Sequence, residues 1–342
     1  MRCTWPWSTL TRWWGLAGAL YVGFAFAAPS ESTPTSPDLA PVAPSVTEDP
    51  LFASPTTRDH IGRVVVPVMI NGQGPFRFIV DTGATHSTIS PTAANALGLT
   101  PATAPSIVLD GITGSTTVSA VTIDRLETGA LLLERTPMPV VWVPVLAGAD
   151  GILGAAGLTS QSLLVDFQHN KVVIAGRVGA SIRSQAMRVH AVRLADGLMT
   201  INTLVKGVRC RAVIDTGAQR SLGNLALRDA VLPPRAAGVL TKVTSVYGAT
   251  KDIERGELLR VPVISIEALR IENVELVFGG FHIFKVWGME NQPAMIIGMD
   301  VLGTTTSLGI DFKNHDVYMA SAGTAGATLI SQGAGGAASV SH

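Results

Sequence analysis

One seven-residue block occurs twice in this chain, and that repetition constrains the fold more than any other feature. Phe78-Ile79-Val80-Asp81-Thr82-Gly83-Ala84 is matched by Ala212-Val213-Ile214-Asp215-Thr216-Gly217-Ala218. Two more blocks follow each copy in the same order. Gly151-Ile152-Leu153-Gly154 corresponds to Met295-Ile296-Ile297-Gly298. Leu164-Val165-Asp166-Phe167 with Val172-Val173-Ile174 corresponds to Gly309-Ile310-Asp311-Phe312 with Asp316-Val317-Tyr318. The first aspartate lies 73 residues before its glycine (154 − 81) and the second 83 (298 − 215). Conserved order with drifting loop length is the mark of a tandem duplication, so the fold has to be one unit built twice.

The unit reads as all-β. Arg63 to Ile70 is β-branched and runs into Asn71-Gly72, a hairpin turn, from which Phe76 to Val80 returns. In the second half Met187 to Leu194 runs to Asp196-Gly197, Leu198 to Val205 follows, and Lys206-Gly207 leads to Cys210–Ile214. A short helix is expected over Thr92–Leu97, after Pro91 and before Gly98. Glycine at 35 and proline at 20 suit short strands joined by turns. The hydrophobic share of 47 % is ample for a core in each copy. These signals predict two homologous barrel-like lobes, at 58–180 and 185–320, related by a pseudo-twofold axis with a site between them.

The repeated block carries its own chemistry. An apolar strand delivers an aspartate to a turn, which is costly unless the carboxylate is paired or hydrogen-bonded. The glycine two residues later permits close approach by a partner. A twofold axis would bring Asp81 and Asp215 face to face, where both cannot readily ionise. One carboxylate can then act as base on a water while the other donates a proton. At average residue usage a lone Asp-Thr-Gly-Ala arises by chance in about one such chain in a couple of hundred. Two copies, each after an apolar strand and before an Ile-x-Gly, are far rarer.

With these motifs the chain resembles the retropepsin-like aspartic peptidases, over about residues 60 to 320, in the single-chain two-lobe arrangement also seen in pepsin. The resemblance implies that Asp81 and Asp215 are catalytic. It implies that Thr82 and Thr216 hydrogen-bond across the interface, and that Gly83 and Gly217 contact substrate backbone. Ala84, Ala218, Ser87 and Ser221 complete the two loops, the serines bracing them. Ile152, Leu153, Gly154 and Ile296, Ile297, Gly298 thread behind the loops. A β-hairpin flap over the substrate is implied too. Gly111-Ile112-Thr113-Gly114 fits as a tip in the first half, and Tyr247-Gly248-Ala249 in the second. The pepsin-like flap tyrosine would lie in the first lobe, whereas here Tyr247 lies in the second, so whether one flap or both act stays open. Both motifs end in alanine, without a hydroxyl to stabilise the carboxylate, so the pH optimum is expected to be less acidic than pepsin's.

Other chemistries find no support. There is no His-Glu-x-x-His and no Gly-x-Ser-x-Gly, and no metal or cofactor is expected. His86 and Arg220, at matching places near the two loops, read as solvent-facing. Cys210 reads as a small buried hydrophobe. Acidic and basic residues balance at 25 each, which argues against nucleic acid as a partner. The expected partner is a peptide or protein substrate. With both aspartates in one chain, the active form is expected to be a monomer. The rival readings are a binding or scaffold module that kept the fold, and a narrow maturation peptidase.

The ends differ from the repeats. Arg2 and Arg12, an uncharged run over Trp13–Ala28 and Ala25-Phe26-Ala27 read as a cleaved export signal over residues 1–28. The run is shorter than the ~20 residues of a membrane span. A secreted or periplasmic location follows, without stable membrane insertion after cleavage; an uncleaved N-terminal anchor is the alternative. Residues 29–57, rich in Pro, Ser, Thr and Ala, read as a linker or pro-segment. Residues 321–342 read as a disordered Gly/Ala/Ser tail.

Overall fold

The two apolar runs that end in aspartate form central strands, Gln73–Asp81 and Val208–Ile214. Phe78, Ile79, Val80, Ala212, Val213 and Ile214 are all 0 % exposed. Burial on both faces explains why these runs are continuously apolar instead of alternating. In the first lobe Phe78 and Val80 join the main core, while Ile79 packs from the opposite face with Val65, Leu146, Ala149 and Ile152. This computed structural model describes residues 53–55, 57–58, 62–100, 106–141, 146–232, 242–321 and 328–330. The expected export signal, and most of the two segments expected to be linker and tail, lie outside the described residues. Ala53–Pro55 is a strand within the expected linker, Thr57–Arg58 is one at its junction with the first lobe, and Thr328–Ile330 is one within the expected tail.

Each lobe closes into a barrel with the same strand order. The first runs Thr88–Ile89, Gly151–Gly154, Gln73–Asp81, Val64–Ile70, Ala120–Thr128, Leu131–Pro139 and closes through a parallel bridge between Ile89 and Val140. The second runs Leu222–Gly223, Ala294–Ile297, Val208–Ile214, Met199–Val205, Ile253–Ile266, Leu269–Phe278. It closes where Leu222 and Gly223 pair in parallel with Val277 and Phe278. The expectation of two homologous all-β barrel-like lobes is met. Their tight hairpins use the turn residues identified in the sequence. Asn71 and Gly72 have φ of 50° and 75°, and Lys206 and Gly207 have 49° and 83°. Positive φ at both central positions matches the twist of the flanking strands. The first-lobe helix is Pro91–Ala96, with Pro91 in its first turn and the Ser90 hydroxyl capping the Ala93 amide.

A six-stranded sheet joins the lobes, in the order Ala53–Pro55, Lys171–Ala175, Ser162–Asp166, Ser307–Asp311, Asp316–Ala320, Met187–His190. The third repeated block therefore lies in a shared sheet outside the barrels. At its centre Leu164 lies opposite Gly309, its own repeat equivalent. A residue paired with its own equivalent marks the pseudo-twofold axis. The run Met187–Leu194, read from sequence as one strand, is divided. Met187–His190 pairs with Asp316–Met319 in the shared sheet, and Val192–Arg193 pairs with Met199 and Thr200 in the second barrel.

Candidate active site

Each aspartate ends a strand held on both sides. Asp81 follows a strand flanked by Val64–Ile70 and by Gly151–Gly154, with Gly154 in register with Asp81. Asp215 follows the equivalent strand, and its amide donates to the Ile297 carbonyl at 3.0 Å. At each turn the chain folds back so that its own amides face the carboxylate. Oδ1 of Asp81 accepts from the Gly83 and Ala84 amides, both at 2.9 Å. Oδ1 of Asp215 accepts from Gly217 at 2.8 Å and Ala218 at 2.9 Å. Those bonds fix one oxygen of each carboxyl and leave the other to face the opposite lobe, where the two carboxyls hydrogen-bond to one another.

The glycines make this approach sterically feasible. A Cβ on Gly83 would collide with the Asp215 carboxyl, and a Cβ on Gly217 with that of Asp81. Behind them, two threonines cross the interface. The Thr82 hydroxyl donates to the Ile214 carbonyl and the Thr216 hydroxyl to the Val80 carbonyl, both at 2.7 Å. Each hydroxyl also accepts the other residue's amide, at 3.1 Å for Thr216 to Thr82 and 3.2 Å for the reverse. Both threonines are buried, so these four bonds join the loops where water does not compete.

The Ile-x-Gly segments lie directly behind the loops. Gly154 donates to the Ser87 hydroxyl and Gly298 to that of Ser221, both at 3.0 Å. The next amides, Ala155 and Met299, donate to the Ala84 and Ala218 carbonyls at 2.8 Å. A Cβ on Gly154 would lie 2.6 Å from the His86 carbonyl, and one on Gly298 2.8 Å from that of Arg220. Ile152, Leu153, Ile296 and Ile297 anchor these segments as buried barrel strands.

Two residues near the loops escaped the sequence reading. Asp300 accepts from the Ser221 hydroxyl at 2.7 Å and from its amide at 3.0 Å. The equivalent first-lobe position is Ala156, so an aspartate two residues past the bracing glycine was the available signal. Burial pushes the Asp300 carboxyl above the usual range, and the Ser221 donors pull it partly back. The other is Arg63, a buried cation whose charge acts on Asp81. His86 is exposed, and Arg220 pairs with Glu275 at 3.4 Å.

The two hairpins meet. The first-lobe hairpin pairs Ile107–Gly111 with Gly114–Val118, leaving Ile112 and Thr113 at the tip. The second pairs Lys242–Tyr247 with Ile253–Leu258, and residues 248–252 form its tip. The hydroxyls of Thr113 and Thr250 lie 3.0 Å apart and are buried. A Cβ on Gly248 would come within 2.9 Å of the Thr113 hydroxyl, and one on Gly111 within 3.3 Å of the Ala249 amide. A second contact holds the first hairpin to the opposite lobe. Nε2 of His282, on the short helix His282–Val286, lies 2.8 Å from the Ser115 hydroxyl and 3.5 Å from Asp110 Oδ1. Ser115 itself donates to Asp110. The Tyr247 side chain is 61 % exposed and takes no part in the contact between the tips.

Electrostatics divide the two carboxyls. Burial raises Asp81 above the usual carboxylate value; the bond from Asp215, the Gly83 and Ala84 amides and the Arg63 charge draw it back. Asp215 is raised well above that value, first by burial and then by the neighbouring charge of Asp81. Both carboxyls are thus held above the usual carboxylate range, and each biases the ionisation of the other. Among the described residues no group of three or more His, Cys, Asp or Glu side chains converges as a metal site would require. No curated protein matches the chain. A family model described as aspartyl protease matches residues 66–156 and 201–301, more than half of the chain and one segment in each lobe. The chain thus belongs to the aspartyl protease family.

Proposed function

We propose that the protein is an aspartic endopeptidase in which Asp81 and Asp215 together activate a water molecule. The observation that carries this reading is the opposed carboxyl pair, one group from each lobe, each fixed through one oxygen and hydrogen-bonded to the other. The ionised carboxylate takes a proton from water as the water oxygen bonds to the scissile carbonyl carbon. The protonated carboxyl gives its proton to the carbonyl oxygen. The tetrahedral diol then collapses: the carboxyl that took the water's proton gives it to the departing nitrogen, a diol hydroxyl returns a proton to the other carboxylate, and the C–N bond breaks. The Thr82–Thr216 bonds hold the two acids at working separation, and the two hairpins, joined at their tips, serve as flaps. Substrate is a peptide or protein segment. The chain acts as a monomer after export, because both acids lie on one chain and residues 1–28 have the character of an export signal.

The contact between the two hairpin tips favours narrow over general cleavage if the hairpins act as flaps, since substrate entry would then part Thr113 from Thr250. The test is cleavage of an unfolded protein and of a peptide library by the chain from residue 29, over about pH 3 to 8. Cleavage that is lost in both Asp81→Asn and Asp215→Asn supports the reading. Cleavage that survives either substitution rejects the dyad. No cleavage at any pH, with a folded protein, shifts weight to the binding-module reading.

A further inference from the structure

The duplication makes the two halves of the site nearly identical, yet the reaction needs two acids in different protonation states. The strand register shows where the halves diverge. In the first barrel Val65 pairs with Ile79 and Val66 with Phe78, so continuing the same antiparallel register by two residues sets Arg63 opposite Asp81. In the second barrel Thr200 pairs with Val213, and the same extension sets Leu198 opposite Asp215. Arg63 is 3 % exposed and Leu198 is 1 % exposed. Each residue precedes its strand by one position, so the ladders themselves stop short of the aspartates, but the extended register sets a buried cation on the side of the first acid and a buried hydrocarbon side chain on the side of the second.

We propose that Arg63 is a positioning residue that fixes the dyad's negative charge on Asp81, making Asp81 the base toward water and Asp215 the proton donor toward the substrate carbonyl. This rests on the peptidase reading above for its catalytic meaning, though the placement of charge does not depend on turnover. An arginine stays protonated throughout the working pH range, so its field favours the ionised form of whichever acid it faces. Burial limits screening by water and salt, so the preference persists at physiological ionic strength. The ionisable groups acting on Asp81 are Asp215 from the opposite lobe and Arg63 from the residue before the adjoining strand, and Arg63 acts in the direction the proposal needs. Asp215 feels burial and the charge of Asp81, both of which favour keeping its proton. Asp215 is also the less accessible of the two, at 7 % exposure against a partly exposed Asp81.

The test reads the two carboxyls directly. The protein is labelled with 13Cγ-aspartate, and the Asp81→Asn and Asp215→Asn variants assign the two dyad signals. On titration without substrate, the Asp81 signal should move to the ionised position first, with Asp215 following at higher pH. In Arg63→Gln the first transition should rise by about one pH unit. The acid limb of kcat/KM should rise with it, and Arg63→Lys should restore both. A merely structural arginine would lower stability and activity without moving either limb. If Arg63→Gln does not fold, the wild-type order of ionisation and the Arg63→Lys titration still decide the matter. The proposal is overturned if Asp215 ionises first in the wild type, or if a folded Arg63→Gln leaves the first transition in place. A chain that cleaves nothing but ionises in the stated order refutes the peptidase reading and leaves the placement of charge standing.

Discussion

Replacing Thr82 by valine removes a hydroxyl and keeps the shape, so its cost can be worked from the hydrogen bonds alone. The Ile214 carbonyl loses its donor at 2.7 Å, and the Thr216 amide loses its acceptor at 3.1 Å. Thr82 is 1 % exposed and Ile214 is 0 % exposed, so water cannot replace either bond without opening the interface. A buried polar group left unpaired costs about 1–3 kcal/mol, which puts Thr82→Val at about 2–6 kcal/mol. Against a typical total of about 5–15 kcal/mol, that is a large fraction of the fold's stability. Thr82→Ser keeps the hydroxyl and loses one methyl, at a cost of about 1 kcal/mol. Urea denaturation of the three proteins, read as midpoints and slopes, measures these differences, and turnover is measured alongside. Thr82→Val should also lower kcat, because the same bonds set the separation of the two acids. The double variant with Thr216→Val should cost less than the sum of the singles, since a loosened interface admits water to the groups already orphaned. A valine variant within about 1 kcal/mol of wild type with unchanged turnover would refute the reasoning. So would a serine variant as damaged as the valine.

Four further predictions concern charge, closure and the lone thiol. Asp215 holds its proton in the folded state to higher pH than the ordinary value of 3.8 at which it ionises when unfolded. Its contribution to stability is complete below that value and is lost as pH rises through the elevated folded value, so Asp215→Asn should melt above wild type at neutral pH and converge with it in acid. The reverse order at neutral pH would argue against burial as the dominant cause. Because both dyad carboxyls are raised, the acid limb of activity should lie above the usual carboxylate value, and a profile peaking near pH 2 would contradict this. Thr250→Val with His282→Ala removes the two side-chain hydrogen bonds described between the first hairpin and the second lobe and should change KM by about two- to tenfold; because it orphans the buried Thr113 hydroxyl it should also lower stability, by about 1–3 kcal/mol. Burial pushes the Cys210 thiol up to about 12, so iodoacetamide should label it only after denaturation.

The dyad, the threonines and the bracing glycines were legible because duplication prints each feature twice, and a match between Asp81 and Asp215 or Gly154 and Gly298 needs no knowledge of how the chain folds. Barrel closure was legible only as a class. It depends on contacts such as Ile89 with Val140 that local strand signals do not encode. The break in Met187–Leu194 was hidden for a related reason: its β-branched pattern suits either sheet, and only the pairing partners, Asp316–Met319 and Met199–Thr200, divide it. Asp300 and His282 stayed invisible because their partners lie 79 and 167 residues away, at Ser221 and Ser115. Arg63 was read as the first residue of a strand; the strand begins one residue later, at Val64, and the sequence is silent about where the arginine's charge falls. Only the register assigns it a neighbour.

The same register shows where this chain departs from exact duplication. Two equivalent carboxyls sharing a proton spend equal time in each arrangement until an asymmetric substrate selects one. A frame with twofold backbone symmetry solves the problem of holding the acids together, through Thr82 and Thr216 acting identically. It leaves the problem of telling them apart to side chains off the axis. In this chain the divergences cluster there. Arg63 stands against Leu198 just before the strands beside the two acids, and Ala156 against Asp300 and His86 against Arg220 stand within or directly behind the two loops. Asp300 adds two hydrogen bonds to the second loop through Ser221, which stiffens the loop carrying the more deeply buried acid. The cation across from the first acid works on charge, and the carboxylate behind the second works on position. The two should therefore separate by experiment: substitution of Asp300 by asparagine should lower kcat with little movement of the pH profile, whereas substitution of Arg63 should move the profile.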